Sequence, residues 1–168
     1  MRLVKTLLLS LILAAGALAQ QNLQIGQAAP DFSATTIDGQ PVSLKDLQGK
    51  VVVLTFWSTR CEICHNEIPK MNQVVERYRG KDVVFLALTM ENSAKVQPYL
   101  RKNPFNYTIL TNGFGVVLKY ANMSKDGAIN MGFPSYYVID KAGQISHRAE
   151  GWDKTPNLEA RISRLLAE

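Results

Sequence analysis

Thr55-Phe56-Trp57-Ser58-Thr59-Arg60-Cys61-Glu62-Ile63-Cys64-His65 contains both cysteines of this 168-residue chain. Immediately upstream, Val51-Val52-Val53-Leu54-Thr55-Phe56-Trp57 is an apolar run rich in β-branched residues, the pattern of a buried strand. Downstream, Cys64, Ile68, Met71, Val75 and Tyr78 recur at alternating steps of four and three. That is the apolar face of a helix, predicted to end near Gly80. The cysteines therefore sit at a strand-to-helix joint. Backbone N–H groups at a helix start lack intrahelical partners, and the helix dipole favours negative charge there. A Cys61 thiolate gains from both, and Arg60 beside it adds a cation. Cys64 lies one turn on, close enough to bridge, and faces the core. Cys61 is thus the expected attacking thiolate, and Cys64 the thiol that resolves the mixed disulfide. Glu62 works against the thiolate, which raises the thiol pKa and points to a reducing couple. As a structural staple the bridge would be weak, because a loop closed so tightly removes little unfolded-state entropy.

The flanking sequence predicts an α/β fold of one domain. Phe32, Ala34 and Thr36 alternate with polar residues, Asp38-Gly39 is a hairpin turn, and Val42 and Leu44 resume the alternation. Val83 to Met90 reads as a second buried strand, and Ala94 to Lys102 as a helix ending before Asn103-Pro104. Tyr107 to Leu110 reads as a short strand, and Gly115 to Tyr120 as a helix. Ala121 to Gly132 lacks periodicity and reads as a loop. Ser135 to Asp140 and Ile145 to Gly151 form a second hairpin around Lys141-Ala142-Gly143-Gln144. A last helix, with Thr155 as N-cap and Pro156 at its first position, buries Leu158, Ile162 and Leu165. Strands and helices alternate first, and a hairpin and helix close the chain. The expected sheet is mixed, with helices on both faces.

Composition narrows the chemistry. The net charge of +5 includes Arg2 and Lys5, which precede a leader-like apolar run. The remaining excess is too small to argue for nucleic acid or an acidic membrane surface. Two cysteines cannot staple a scaffold, and they fall short of a four-ligand zinc site, so no metal is expected. Thr6 to Ala15 is the apolar core of the leader, and Ala17-Leu18-Ala19 fits the small-x-small cleavage pattern. Residues 1–19 are read as a signal peptide or an uncleaved anchor, 20–28 as a polar tether, and 29–168 as the folded domain. Either form of the leader puts the domain in an oxidising, extracytoplasmic space, the periplasm in a two-membrane cell.

Read together, these segments resemble the TlpA/ResA branch of the thioredoxin-like family. The resemblance rests on Ala29-Pro30-Asp31-Phe32, the Asp38-Gly39 hairpin, Leu44-Lys45-Asp46-Leu47, Phe56-Trp57 with Cys61-Glu62-Ile63-Cys64, and Glu67-Ile68-Pro69. It closes with Gly132-Phe133-Pro134-Ser135-Tyr136-Tyr137-Val138-Ile139-Asp140 and Gly151 before the last helix. The resemblance implies a thioredoxin-like fold, a central mixed β-sheet flanked by helices, with an added N-terminal β-hairpin. It implies a protein-disulfide reductase without a cofactor, acting as a monomer. A membrane thiol electron donor would keep it reduced, and its substrates would be disulfide-containing proteins such as apocytochrome c. Pro134 matches the family's cis-proline, beside which the backbone of Phe133 pairs with an extended substrate segment. Glu67 matches an acid that manages the proton of the buried cysteine. Pro69 removes a helix hydrogen bond and is expected to kink the helix past the active turn. Arg60, Glu62 and Ile63 would face the substrate.

The chain also departs from the family. Arg60 stands where Trp is frequent, Ile63 replaces a common Pro, and Thr55 is not the buried carboxylate of thioredoxin itself. Phe133 is bulky for a position beside a substrate. Three other readings compete, the blandest being a binding module whose cysteines merely respond to redox state. The opening Ala29-Pro30-Asp31-Phe32 is shared with peroxiredoxins, and Ser58 fits their frame before the nucleophile, although Leu54 fills its proline position. Cys61-Glu62-Ile63-Cys64-His65 also matches the C-x-x-C-H haem attachment pattern, with Met123 or Met131 as second axial ligand.

Overall fold

Strand β3 (Val51–Phe56) is buried over its whole length, and its two faces feed two different cores. Val52, Leu54 and Phe56 join Val116, Val117 and Tyr120 on one side; Val51 and Val53 meet Met71, Val74, Leu158 and Ile162 on the other. This is why the sequence of β3 is a continuous apolar run rather than an alternation. Truncating a side chain such as Leu54, 0% exposed, would cost about 2–5 kcal/mol in transfer and cavity terms.

The computed structural model describes residues 23–151 and 155–168. The leader (1–19), the first residues of the tether (20–22) and the capping roles of Thr155 and Pro156 lie outside that description. The elements follow in the order β1 (Ser33–Thr36), β2 (Pro41–Ser43), β3, α1 (Glu62–Arg77), β4 (Val83–Leu88), α2 (Ser93–Leu100) and β5 (Thr108–Thr111). Then come α3 (Phe114–Tyr120), β6 (Asn122–Met123), β7 (Ile129–Asn130), β8 (Ser135–Ile139), β9 (Ile145–Glu150) and α4 (Thr155–Ala167). Seven strands form one sheet in the order β2-β1-β5-β4-β3-β8-β9. β3 pairs parallel with β4 and antiparallel with β8, so the sheet is mixed. Helices α1, α2 and α4 cover one face, and α3 with Leu23 and Phe32 the other.

The N-terminal hairpin turns where Asp38-Gly39 predicts. Gly39 has φ +84° and donates its N–H to Thr36 O at 3.0 Å, a backbone state that only glycine adopts without strain. Past it the expected second strand stops early. Leu44 opens a 3-10 turn (Leu44–Leu47) instead, because the Ser43 hydroxyl caps the Lys45 N–H. The segment expected to be a loop from Ala121 to Gly132 contains the β6–β7 ribbon, whose two-residue strands are too short to show periodicity. Helix α1 runs on through Pro69, and it buries Val74 more deeply than Val75. The cluster of Arg77, Arg79 and Lys81 is a solvated helix end, with Arg77 on Glu159 and Arg79 on Glu76.

Candidate active site

β3 hands the chain to α1 through a short, tightly bonded turn. Trp57 N–H still donates to Leu88 O at 3.1 Å, and Cys61 N–H then closes on Ser58 O at 3.1 Å. Arg60 N–H donates to the Ser58 hydroxyl at 3.2 Å. Cys61 is the N-cap of α1 in an extended conformation, φ −87° and ψ 102°. Its Sγ accepts the Cys64 N–H at 3.1 Å, the place where a capping oxygen normally sits. The two cysteines form a disulfide with their Cα atoms 5.2 Å apart. Opening that bond leaves a sulfur on an unspent N–H at the positive end of a sixteen-residue helix. Cys61 is half-buried and Cys64 only 3% exposed, while Arg60, Glu62 and Ile63 stand at the surface.

Behind the disulfide the protein interior holds an acid. Glu67 is 1% exposed and receives Lys70 Nζ at 3.3 Å. Cys64, Glu67, Thr55, Phe105, Pro134 and Tyr136 line a cavity of about 10 Å³, the lower bound for one water. Thr55 Oγ1 has no protein hydrogen-bond partner among the described residues. Burial, reinforced by the charge of Glu67, holds the Tyr136 phenol well above its ordinary range.

The Phe133–Pro134 peptide is cis. Register places it: Phe56 pairs with Ser135, so Pro134 lies at the height where β3 gives way to Trp57. Pro134 O accepts the Gly151 N–H at 2.9 Å, and Gly132 N–H reaches Glu150 Oε2 at 3.3 Å. Among the described residues, no hydrogen bond engages the main-chain N–H or C=O of Phe133. Its side chain packs against the same cluster as Cys61 and Cys64. The structure thus gathers Cys61, Cys64, Glu67, Phe133 and Pro134 at one end of the sheet.

Three further residues join this group that the sequence did not single out. Thr59 donates both its N–H and its hydroxyl to Glu91, each at 2.7 Å. The carbonyl of Thr59 accepts His65 Nε2 at 3.1 Å, and the His65 ring lies 5.0 Å from that of Tyr99. Burial alone would raise the Glu91 pKa, but bonds from Lys95 and from Thr59 outweigh it and hold the carboxyl below its ordinary value. Burial and the nearby Glu91 charge push the Tyr99 phenol up to about 12. The signal for Glu91 was its place just past the C-terminal end of a parallel strand, next to the strand that carries the cysteines. The alternative haem ligands are not gathered with the cysteines. Met123 lies in β6 and Met131 packs on the α3 side of the sheet, whereas Cys64 packs against α2.

Residues 25–148 match the AhpC/TSA family. The chain belongs to that family. The ResA thiol-disulfide oxidoreductase of Bacillus thuringiensis subsp. konkukian is 29% identical over 87% of this chain and 81% of its own. The thioredoxin-like protein YneN of Bacillus subtilis is 32% identical, over 73% of this chain and 69% of its own. A Chlorobium tepidum structure assigned to the thiol:disulfide interchange protein DsbE superimposes with a TM-score of 0.74 at 27% identity, covering 86% of this chain and 99% of that one. The resemblance, the thioredoxin-like fold with its added N-terminal hairpin, and the expectation of a thiol–disulfide oxidoreductase are borne out.

Proposed function

We propose that the protein is an extracytoplasmic protein-disulfide reductase, with Cys61 as nucleophile and Cys64 as resolving thiol. The observation that carries this reading is the Cys61 sulfur on the Cys64 N–H at the start of α1. In the reduced enzyme the Cys61 thiolate attacks one sulfur of a substrate disulfide, forms a mixed disulfide and expels the other sulfur as a thiolate that takes up a proton. Cys64 then gives its proton to the Glu67 carboxylate across the cavity they share and attacks Cys61 Sγ. The second substrate thiolate leaves and is protonated. The substrate has gained two electrons, and the enzyme disulfide holds the oxidising equivalents until a membrane thiol donor reduces it.

Phe133 offers a free main-chain donor and acceptor beside the pair, which suits an extended substrate segment added edgewise. Arg60, Glu62 and Ile63 form the exposed rim that such a segment would cross. Apocytochrome c, with its oxidised C-x-x-C pair, is the substrate class this reading favours. The leader at residues 1–19, cleaved or kept as an anchor ahead of the 20–28 tether, supports an envelope location for the domain at 29–168. Among the described residues no helix is long and apolar enough to cross a membrane. The peroxidase reading is disfavoured by Leu54, fully buried in β3 where that frame needs a proline.

The deciding experiment expresses the Cys64→Ala variant in its native envelope and isolates its mixed disulfides. Capture of disulfide-bearing envelope proteins through Cys61 is expected. An unreactive Cys61, peroxide turnover at enzymatic rates, or a Soret band from covalent haem would overturn the reading.

A further inference from the structure

Glu91 takes no part in the sulfur chemistry above, yet its carboxylate is among the most heavily engaged side chains in the protein. It lies between β4 and α2 with a side chain 10% exposed. Oε2 accepts the Thr59 N–H at 2.7 Å and the Thr89 hydroxyl at 3.3 Å. Oε1 accepts the Thr59 hydroxyl at 2.7 Å and pairs with Lys95 Nζ at 2.7 Å. Thr59 precedes the cysteine pair, and its carbonyl is bonded to His65, the residue that follows the pair. Tyr99 of α2 makes tilted ring contacts with that His65, at 5.0 Å, and with Trp57, at 5.3 Å. Both flanks of the Cys61–Cys64 ring are therefore moored to one neighbouring segment.

The mooring matters most when the disulfide is open. In the oxidised protein the covalent ring itself keeps Cys61 Sγ against the Cys64 N–H. After reduction that constraint is gone, and the Ser58–Arg60 turn, which receives the Cys61 N–H on Ser58 O, then helps to set where the Cys61 sulfur points. We propose that Glu91 is a positioning residue for the redox pair, holding that turn through Thr59 so that the Cys61 thiolate stays on the helix N-terminus. The inference rests on Cys61 being the reactive thiol. A charge effect would have the opposite sign. A bare carboxylate near a thiolate disfavours it, whereas a positioning carboxylate neutralised by Lys95 favours it.

The test measures iodoacetamide alkylation of Cys61 against pH, in the full chain with Cys64→Ala so that one thiol reports. The other ionisable groups around Cys61, namely Arg60, Glu62, His65 and Glu67, are the same in every variant. Glu91→Ala is expected to raise the apparent thiol pKa and, at pH values below the parent's thiol pKa, to lower the rate about tenfold, the thiolate fraction lost per pKa unit. Glu91→Gln retains an oxygen for the Thr59 N–H and is expected to stay within about threefold of the parent. Thr59→Val, which keeps the N–H and loses the hydroxyl, is expected to shift the profile in the same direction as Glu91→Ala, by less. A lowered thiol pKa in both Glu91 variants would assign a charge role, and an unmoved profile would assign none; either overturns the proposal. Should Glu91→Ala fail to fold, the Gln and Val variants decide alone. An inert Cys61 in the parent chain would count against the reductase reading, whereas variant-to-parent shifts count for or against Glu91.

Discussion

Glu67 lies one helical turn beyond Cys64 on the same buried face of α1, and both line the small cavity that Pro134 closes. A carboxylate in such a place is expensive to bury, since its solvation is lost, and Lys70 Nζ pairs with it at 3.3 Å. In the proposed mechanism its position beside Cys64 gives that expense a use.

Glu67→Gln keeps the shape and removes the proton acceptor. The expected result is a resolution step slowed roughly a hundredfold, the low end of what a positioned acid–base group supplies, with Cys61 attack little changed. Stopped-flow of the reduced enzyme on a model disulfide should show the mixed disulfide accumulating. Equal slowing of attack and resolution would place Glu67 in a general structural role.

Opening the disulfide should hardly unsettle the fold. The two cysteines are three residues apart, so the entropy removed from the unfolded chain is worth no more than about 2 kcal/mol. Urea unfolding with and without dithiothreitol checks this. A loss of about 4 kcal/mol would make the pair a staple rather than a reagent.

Gly113 has no room for a side chain. A Cβ there would collide with Leu88 Cδ2, and Leu88 is fully buried at the end of β4. Gly113→Ala is expected to destabilise the protein by about 1–3 kcal/mol through overpacking, read as a lower urea midpoint at unchanged slope.

His147 sets a pH dependence of stability. It sits half-buried in β9, where burial, aided by Arg161, lowers its pKa from 6.5. Between the folded and unfolded values the unfolded chain binds more protons, so stability rises with pH through that window. The contribution is complete above about pH 6.5 and is lost as pH falls through the folded value. Thermal unfolding across pH 4.5–7.5 should show the decline, and His147→Gln should flatten it.

Much of this architecture is written locally. β3 is an apolar run because both its faces are covered, and α1 keeps its period because one stripe meets the sheet. Asp38-Gly39 predicts its turn because the backbone there needs positive φ. The cysteines announce their chemistry by standing between the two elements. What escaped is non-local or too brief. Thr59 and Glu91 are 32 residues apart and meet only because β3 and β4 are neighbours. Glu67 is reached only through the family resemblance, because in its own sequence context it looks like any polar helix residue until Tyr136 and Pro134 arrive from β8 and its entry loop to enclose it. Leu44 satisfies strand alternation, yet the Ser43 cap turns the chain first.

The pairing of Phe56 with Ser135 has one more consequence. The Cys61–Cys64 turn and the cis Phe133–Pro134 peptide hang from the ends of adjacent strands, and the spacing between them is fixed by ladder hydrogen bonds rather than by either loop. A slip of one residue would turn every β8 side chain to the wrong face, so the core itself polices the alignment. Loop residues such as Arg60, Ile63 and Phe133 can then be exchanged without moving the two halves of the site apart. The fold works as a jig, in which selectivity can be re-cut at the rim while the reactive geometry stays clamped by the sheet.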